Sequence, residues 1–208
     1  MYSPAQFRVD DTATLHALMG AHPLATVVVH GPFGIDAHHL PLLLDASRGV
    51  LRGHVARANP LWSQLASVDG PTLAIFHGPS GYVSPASYPS KQEHGKVVPT
   101  WNYAAVHAYG PMTYFDGEAE LRALVGALTE AHEQRRARPW KVDDAPADFV
   151  AANLRAIVGI ELRIERLEGK WKVSQNRNDR DAEGAAAAFD ASGDAASATL
   201  IRARRPTR

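Results

Sequence analysis

The fold is decided by Leu24-Ala25-Thr26-Val27-Val28-Val29-His30 and the two β-prone runs after it, Ala37 to Leu44 and Val50 to Ala56. The first run is rich in valine and too short for a helix. Gly31-Pro32 and Gly34 mark a turn after it, and Asp45 to Gly49 mark a second. Short strands at turn-marked spacing are the pattern of an antiparallel sheet rather than of alternating strands and helices.

Working outward, Asp10 and Asp11 can cap a helix that carries Leu15, Leu18 and Met19 at helical spacing, with Gly20 placed to end it. On the other side, Asn59-Pro60 opens a short helix through Trp62 and Leu65, and Thr72 to His77 reads as a fourth strand. Residues 78–99, rich in Gly, Pro and Ser, read as a long surface loop, a length unusual unless it has a task. Trp101 to Phe115 is β-prone and broken at Gly110-Pro111.

Asp116 is positioned to cap an amphipathic helix with Leu121, Leu124, Val125 and Leu128 on one face, ended by Arg135-Arg136-Ala137-Arg138-Pro139. A second helix starts near Ala145-Pro146, carries Phe149, Leu154 and Ile157, and stops at Gly159. Ile160, Leu162 and Ile164 then alternate with charged residues as a half-buried strand, which Glu168-Gly169 turns back into Lys170 to Val173. The Ala-rich tail from Asp179 reads as two short, loosely attached helices, over 185–189 and 195–204. There is no internal repeat. The sum is a mainly β or α+β chain, an antiparallel β-barrel with peripheral helices.

The composition narrows the function. The 208 residues contain no cysteine, which excludes disulfides, thiolate metal sites, iron–sulfur clusters and a cysteine nucleophile. Lys+Arg and Asp+Glu both number 22, so no general basic field holds this chain on DNA, although a local basic patch remains open. No apolar run is long enough to span a membrane, and no leader pattern opens the chain, so a cytoplasmic protein with no membrane partner is expected.

Familiar motifs are missing. There is no dinucleotide-binding glycine pattern and no P-loop. Gly78-Pro79-Ser80-Gly81 has the wrong glycine spacing for a nucleophile elbow and reads as a turn. His38 and His39 are neighbours on a strand, so they face opposite ways and cannot chelate one ion; no metal site is expected. The two clear helices are too far apart for a helix-turn-helix. Arg135, Arg136 and Arg138, with Arg202, Arg204, Arg205 and Arg208, could meet an acidic partner or simply be solvated helix ends.

Three segments carry more polar chemistry than plain structure asks for. The first runs from Ala37-His38-His39-Leu40-Pro41 into Gly53-His54-Val55-Ala56-Arg57-Ala58-Asn59-Pro60. An arginine fork beside a turn suits a phosphate, and the same residues also read as an Asn-Pro turn with a surface arginine. The second is Tyr82 to Lys91 followed by Val98-Pro99-Thr100-Trp101-Asn102-Tyr103. Its aromatics and amide suit a flat ring system, or equally a dimer interface. The third is Lys172-Val173-Ser174-Gln175-Asn176-Arg177, a ligand-binding run or an ordinary polar strand end.

Together these segments resemble the PaiB-like FMN-binding negative transcriptional regulators of the FMN-binding split-barrel superfamily. The resemblance rests on Met1-Tyr2, Pro4 and Phe7, His39-Leu40-Pro41, Gly53 to Pro60, Tyr82-Val83-Ser84-Pro85, Tyr88-Pro89-Ser90-Lys91, Val98 to Tyr103 with Val106-His107, and Lys172 with Ser174-Gln175-Asn176-Arg177. It implies a six-stranded antiparallel split β-barrel over residues 1–177, with inserted helices at about 116–158, and a helical or partly flexible tail at 178–208. It further implies a homodimer with FMN near the subunit interface.

By the same resemblance, Arg57 and Asn59 approach the phosphate, Lys91 reaches toward it, and His38, His39, Leu40 and Pro41 line the isoalloxazine edge. Trp101, Asn102, Gln175 and Asn176 close the site, some of them from the other subunit, and His54 belongs to the matching motif. A deazaflavin or haem would ask for the same flat surfaces. Two positions depart from the family: Ser87 stands where an aromatic is frequent, and His38 where a threonine is common.

The function implied is a flavin-dependent negative transcriptional regulator or sensor, with DNA as a partner that the residues themselves support weakly. The alternative is an FMN-dependent oxidoreductase similar to pyridoxamine-phosphate oxidase, with His39, His54 or His107 moving a proton. A dimer that has lost its cofactor is a third reading, which the intact polar segments oppose.

Overall fold

The computed structural model describes residues 1–31, 34–68 and 70–203. The first elements are β1 (Arg8–Val9), α1 (Thr12–Ala21), β2 (Leu24–Gly31), β3 (Gly34–Pro41), β4 (Leu43–Asp45) and β5 (Val50–Ala56). Next come α2 (Leu61–Gln64), β6 (Thr72–Val83), α3 (Ser90–His94), β7 (Thr100–Gly110), β8 (Met112–Phe115) and α4 (Glu118–Glu133). The last are α5 (Ala147–Arg155), β9 (Ile157–Arg163), β10 (Arg166–Lys172), α6 (Asp179–Ala191) and α7 (Ala195–Ala203). The strands form a six-stranded sheet, in the order β1-β10-β7-β6-β2-β3, and a four-stranded sheet, in the order β4-β5-β9-β8. The fold is therefore mainly antiparallel sheet with helices.

The chain divides into two compact units. One comprises Met1–His22, Phe76–His107 and Glu168–Arg208. Here Asp11 caps α1 by accepting from the Thr14 N–H at 2.9 Å, as its position before the helix predicts. Two glycines in this unit, Gly81 and Gly184, mark close packing rather than turns. A Cβ on Gly81 would fall 2.3 Å from the Phe189 ring, and one on Gly184 would fall 2.2 Å from the Ser87 carbonyl oxygen.

The other unit comprises Pro23–Ile75 and Ala108–Leu167. In it β5 pairs with β9 from Val50↔Arg163 to Ala56↔Ile157. Leu51, Val55, Val158, Ile160 and Leu162 are buried, each contributing about 1.5–3 kcal/mol of apolar burial. Leu121, Val150 and Leu154 form a buried cluster from α4 and α5.

Several boundaries differ from the sequence expectation, for physical reasons. The run 37–44 is two strands. Leu42 turns inward, is buried, and donates its N–H to the Pro23 carbonyl, so the chain leaves one sheet there and enters the other. The stretch 78–99 is not a long loop: β6 continues to Val83, a 3₁₀ turn covers Pro85–Ser87, and α3 follows. Gly20 lies inside α1, which runs on to Ala21. Gly117, not Asp116, is the N-cap of α4, because Asp116 is turned toward Arg57 instead.

The second helix ends at Arg155, and Gly159 sits within β9, where a Cβ would strike the Phe115 ring at 2.2 Å. Glu168 and Gly169 lie within β10. The chain reverses at Ile164 and Glu165, whose N–H groups donate to the Gly49 and Tyr109 carbonyls. The tail is helical but not loosely attached, since Ala182, Ala185, Ala186, Phe189, Ala198 and Ile201 are all buried. Pro32, Arg204, Arg205 and Arg208, singled out in the sequence, lie outside the described residues.

Candidate functional site

In the first unit, the Lys172–Arg177 run folds onto the start of β7. Lys172 Nζ donates to the Trp101 carbonyl at 2.8 Å and also to the Thr100 hydroxyl. Burial, with help from the Lys170 and Arg177 charges, lowers the Lys172 pKa. Asn102 is buried and donates through Nδ2 to Ser174 Oγ at 2.9 Å. Ser174 has φ +65°, a left-handed conformation that swings Gln175 back over the strand. Gln175 then accepts from the Val173 N–H at 2.7 Å and donates to the Trp171 carbonyl at 2.6 Å.

The knot continues into α6. Asp181 is buried and accepts from the Ser90 N–H at 3.0 Å, the Ser90 hydroxyl at 2.6 Å and Asn178 Nδ2 at 3.2 Å. Burial opposes ionisation of Asp181, but these donors and Arg177 outweigh it and hold its pKa below the ordinary value. Arg177 lies over the buried Tyr88 ring at 4.7 Å. Beside this closed network the unit presents an open aromatic pair. Trp101 and Tyr82 are 58% and 53% exposed, edge to face at 6.2 Å. Lys91 is exposed on α3, and Asn176 is exposed in the turn after β10, with Gln175 half-buried beside it.

In the second unit, β3 ends its sheet, so alternate backbone groups face outward. His39 pairs with Thr26 across the strands, its Nδ1 lying 3.2 Å from the threonine hydroxyl. His38 is half-buried, with Nε2 3.2 Å from Asp36 Oδ2. Leu40 is half-buried and Pro41 exposed. Arg57 donates through Nε to the Arg155 carbonyl at 2.8 Å and through Nη2 to the Ile157 carbonyl at 3.1 Å, with Nη1 3.5 Å from Asp116. Its guanidinium is thus clasped to the end of α5, leaving two of its five N–H donors. Asn59 Oδ1 accepts from the Leu61 N–H at 2.9 Å, an Asx turn that starts α2.

His54 goes elsewhere. It points to the side of β5 that faces α4 and α5, and burial lowers its pKa. Its Nδ1 is buried with no hydrogen-bond partner among the described residues.

The family described as "Putative FMN-binding domain" matches residues 1–166. The chain belongs to this family. It is 31% identical to the protease synthase and sporulation protein PAI 2 of Bacillus subtilis, covering 87% of this chain and 85% of that one. It is 34% identical to an uncharacterized protein of Emericella nidulans, covering 91% and 90%.

Solved structures share the fold. The flavocytochrome Anf3 of Azotobacter vinelandii aligns with a TM-score of 0.58 at 17% identity, covering 80% of this chain and 69% of that one. The FAD and heme binding protein of Mycobacterium smegmatis aligns with a TM-score of 0.58 at 17% identity, covering 79% and 72%.

The cofactor of the family is FMN. Each unit by itself carries groups that suit part of it: the first an exposed Trp–Tyr pair for a flat ring and an exposed cation at Lys91, the second an exposed strand edge for a polar rim. Sequence reasoning missed that Asp181 ties the tail to Ser90. The one signal was Asn178 with Asp181, a cap spacing that opens α6. The two helices expected in the tail are present as α6 and α7, with α6 starting earlier than expected, at Asp179, and the two joined by residues 192–194 with Gly193 at φ +83°. No described helix is long and apolar enough to cross a membrane.

Proposed function

We propose that this chain is a flavin-dependent negative transcriptional regulator or sensor of the PaiB type, acting as a homodimer with one FMN per subunit. The match to the FMN-binding family over residues 1–166 carries the reading. The regulatory part rests on the resemblance of the sequence motifs to PaiB-like regulators, beside the 31% identity to the protease synthase and sporulation protein PAI 2. FMN supplies reversible redox chemistry when bound, and the chain's own residues bind and orient it.

In this reading Trp101 offers a ring face, and His39, Leu40 and Pro41 offer the β3 edge. Lys91 is the cation that the first unit offers to a phosphate, and Arg57, with two N–H donors left, is the one that the second unit offers. Asn102, Gln175 and Asn176 act mainly by holding the Trp101 strand start and the following turn in place, since Asn102 and Gln175 bond within the chain. The dimer reading is supported by β3 as a terminal strand and by Leu24 and Ile35, exposed by 61% and 79%. Regulation requires that FMN, or its redox state, bind two conformations with different affinity.

DNA contact is the least supported part. Arg202 on α7 is held by Glu183 at 2.8 Å and Asp190 at 2.9 Å, so it offers little charge to a phosphate backbone. The test is selection of genomic DNA fragments on the full chain, with and without FMN, at increasing salt. The reading expects a sequence-dependent fragment retained near physiological salt whose affinity changes with FMN. Binding that vanishes by physiological salt in both conditions would overturn regulation. NAD(P)H consumption beyond that of free FMN would move the function to an oxidoreductase.

A further inference from the structure

The first unit carries an exposed sheet face that the flavin reading uses only in part. On β7, Asn102 and Ala104 are buried, so Trp101 and Tyr103 project to the opposite side. On the neighbouring β10, Gly169 and Trp171 are buried, so Lys170 and Lys172 project away from them. Lys170 joins the two sets. Its Nζ lies 5.4 Å from the centre of the Tyr103 ring and 5.7 Å from that of Tyr2. Tyr2 is 85% exposed, a large ring left in solvent. All these residues belong to the first unit.

The face gathers positive charge with little to offset it. Lys170 Nζ donates to the Tyr2 carbonyl at 2.9 Å and Lys172 Nζ to that of Trp101, and neither ammonium meets a carboxylate among the described residues. Glu168, two residues before Lys170, is paired with the Met1 amine at 2.6 Å. The phenol hydroxyls of Tyr2, Tyr82 and Tyr103 make no hydrogen bond among the described residues.

Aromatic faces interleaved with ammonium groups suit bases joined by phosphates. One nucleotide would use one ring and one charge, whereas several rings and two charges suit a repeating ligand. Bases can stack on a sheet face only when they are unpaired, which excludes a duplex. The phenol hydroxyls both donate and accept, so they match the 2′-hydroxyls that tell RNA from DNA.

We propose that this face binds single-stranded RNA, with bases on Trp101, Tyr103 and Tyr2 and phosphates at Lys170 and Lys172. The inference goes beyond the flavin reading and stands without it. Trp101 and Tyr82 are common to both, whereas Tyr2, Tyr103, Lys170 and Lys172 have no part in the flavin site.

The test is fluorescence anisotropy of a labelled uridine 12-mer titrated with the full chain freed of flavin, beside the deoxyuridine 12-mer. The uridine 12-mer should bind saturably and about tenfold more tightly than its deoxy counterpart. Its log affinity should fall with log salt at a slope near −1.4, from two phosphates at about −0.7 each. Tyr2→Ala, at a solvent-exposed side chain, should weaken binding about tenfold through loss of one stacked base. Lys170→Met should remove about 0.7 from the slope. Should Lys170→Met not fold, Tyr2→Ala alone decides. No saturable binding of the uridine 12-mer, equal affinity for the deoxyuridine 12-mer, or unchanged binding by Tyr2→Ala would each overturn the proposal.

Discussion

Two polar segments that look alike in sequence behave in opposite ways. In Lys172–Arg177 almost every polar side chain finds a partner inside the chain: Lys172 on Trp101, Ser174 on Asn102, Gln175 on its own turn, and Arg177 on the Tyr88 ring. In Gly53–Pro60, Arg57 and Asn59 are also committed to local structure, but His54 is left with a buried, unpaired nitrogen. A run of amides, hydroxyls and cations is therefore not in itself a binding site. The first segment builds a rigid frame behind an exposed Trp101, and the second leaves one buried atom without a partner among the described residues.

The comparison breaks most visibly at the centre of the closed network. Asp181→Ala should strand the Ser90 N–H and hydroxyl in a buried place and cost about 3 kcal/mol. Chemical denaturation would measure it. A loss under about 0.5 kcal/mol would mean that the knot is not a stabilising frame. Asn102→Leu removes one partner of a buried pair and should cost about 2 kcal/mol, with a further drop in FMN affinity as the Trp101 strand start loosens. An unchanged melting temperature would place Asn102 outside the frame.

Much of this was legible in the sequence, because strands announce themselves by β-branched residues and turns by glycine and proline. Val50 to Ala56 emerges with the expected bounds, and the Gly110-Pro111 break falls between β7 and β8. Glycine misled wherever it served close packing. Gly78 and Gly81 read as a loop, yet they lie in β6 against Leu18 with Ala104 and against Phe189. Contacts between residues distant in the chain have no local signature, so Asp181 with Ser90 was invisible. The candidate site was legible as residue types but not as roles. Whether Arg57 faces a phosphate or two carbonyls depends on where α5 ends.

Smaller effects sharpen the other side of the comparison. Asn59→Ala should cost about 1 kcal/mol by removing the turn that starts α2. Substitution by Asp should restore most of that stability, as expected for a capping oxygen. His54 gives a pH dependence of known sign. Its folded pKa lies below the unfolded value of 6.5, so the unfolded chain takes up the proton first. Its contribution is intact above pH 6.5 and is lost progressively as pH falls from there toward the folded pKa. Denaturation midpoints between pH 7.5 and about 5.5 should fall less steeply in His54→Phe than in the wild type. Parallel profiles would remove His54 from its buried environment.

The most direct measurement is titration of the flavin-free protein with FMN, following flavin fluorescence and the visible spectrum. The account predicts saturable quenching at one FMN per chain, weakened by Trp101→Ala and Arg57→Met. A folded protein that neither quenches nor retains flavin would contradict it.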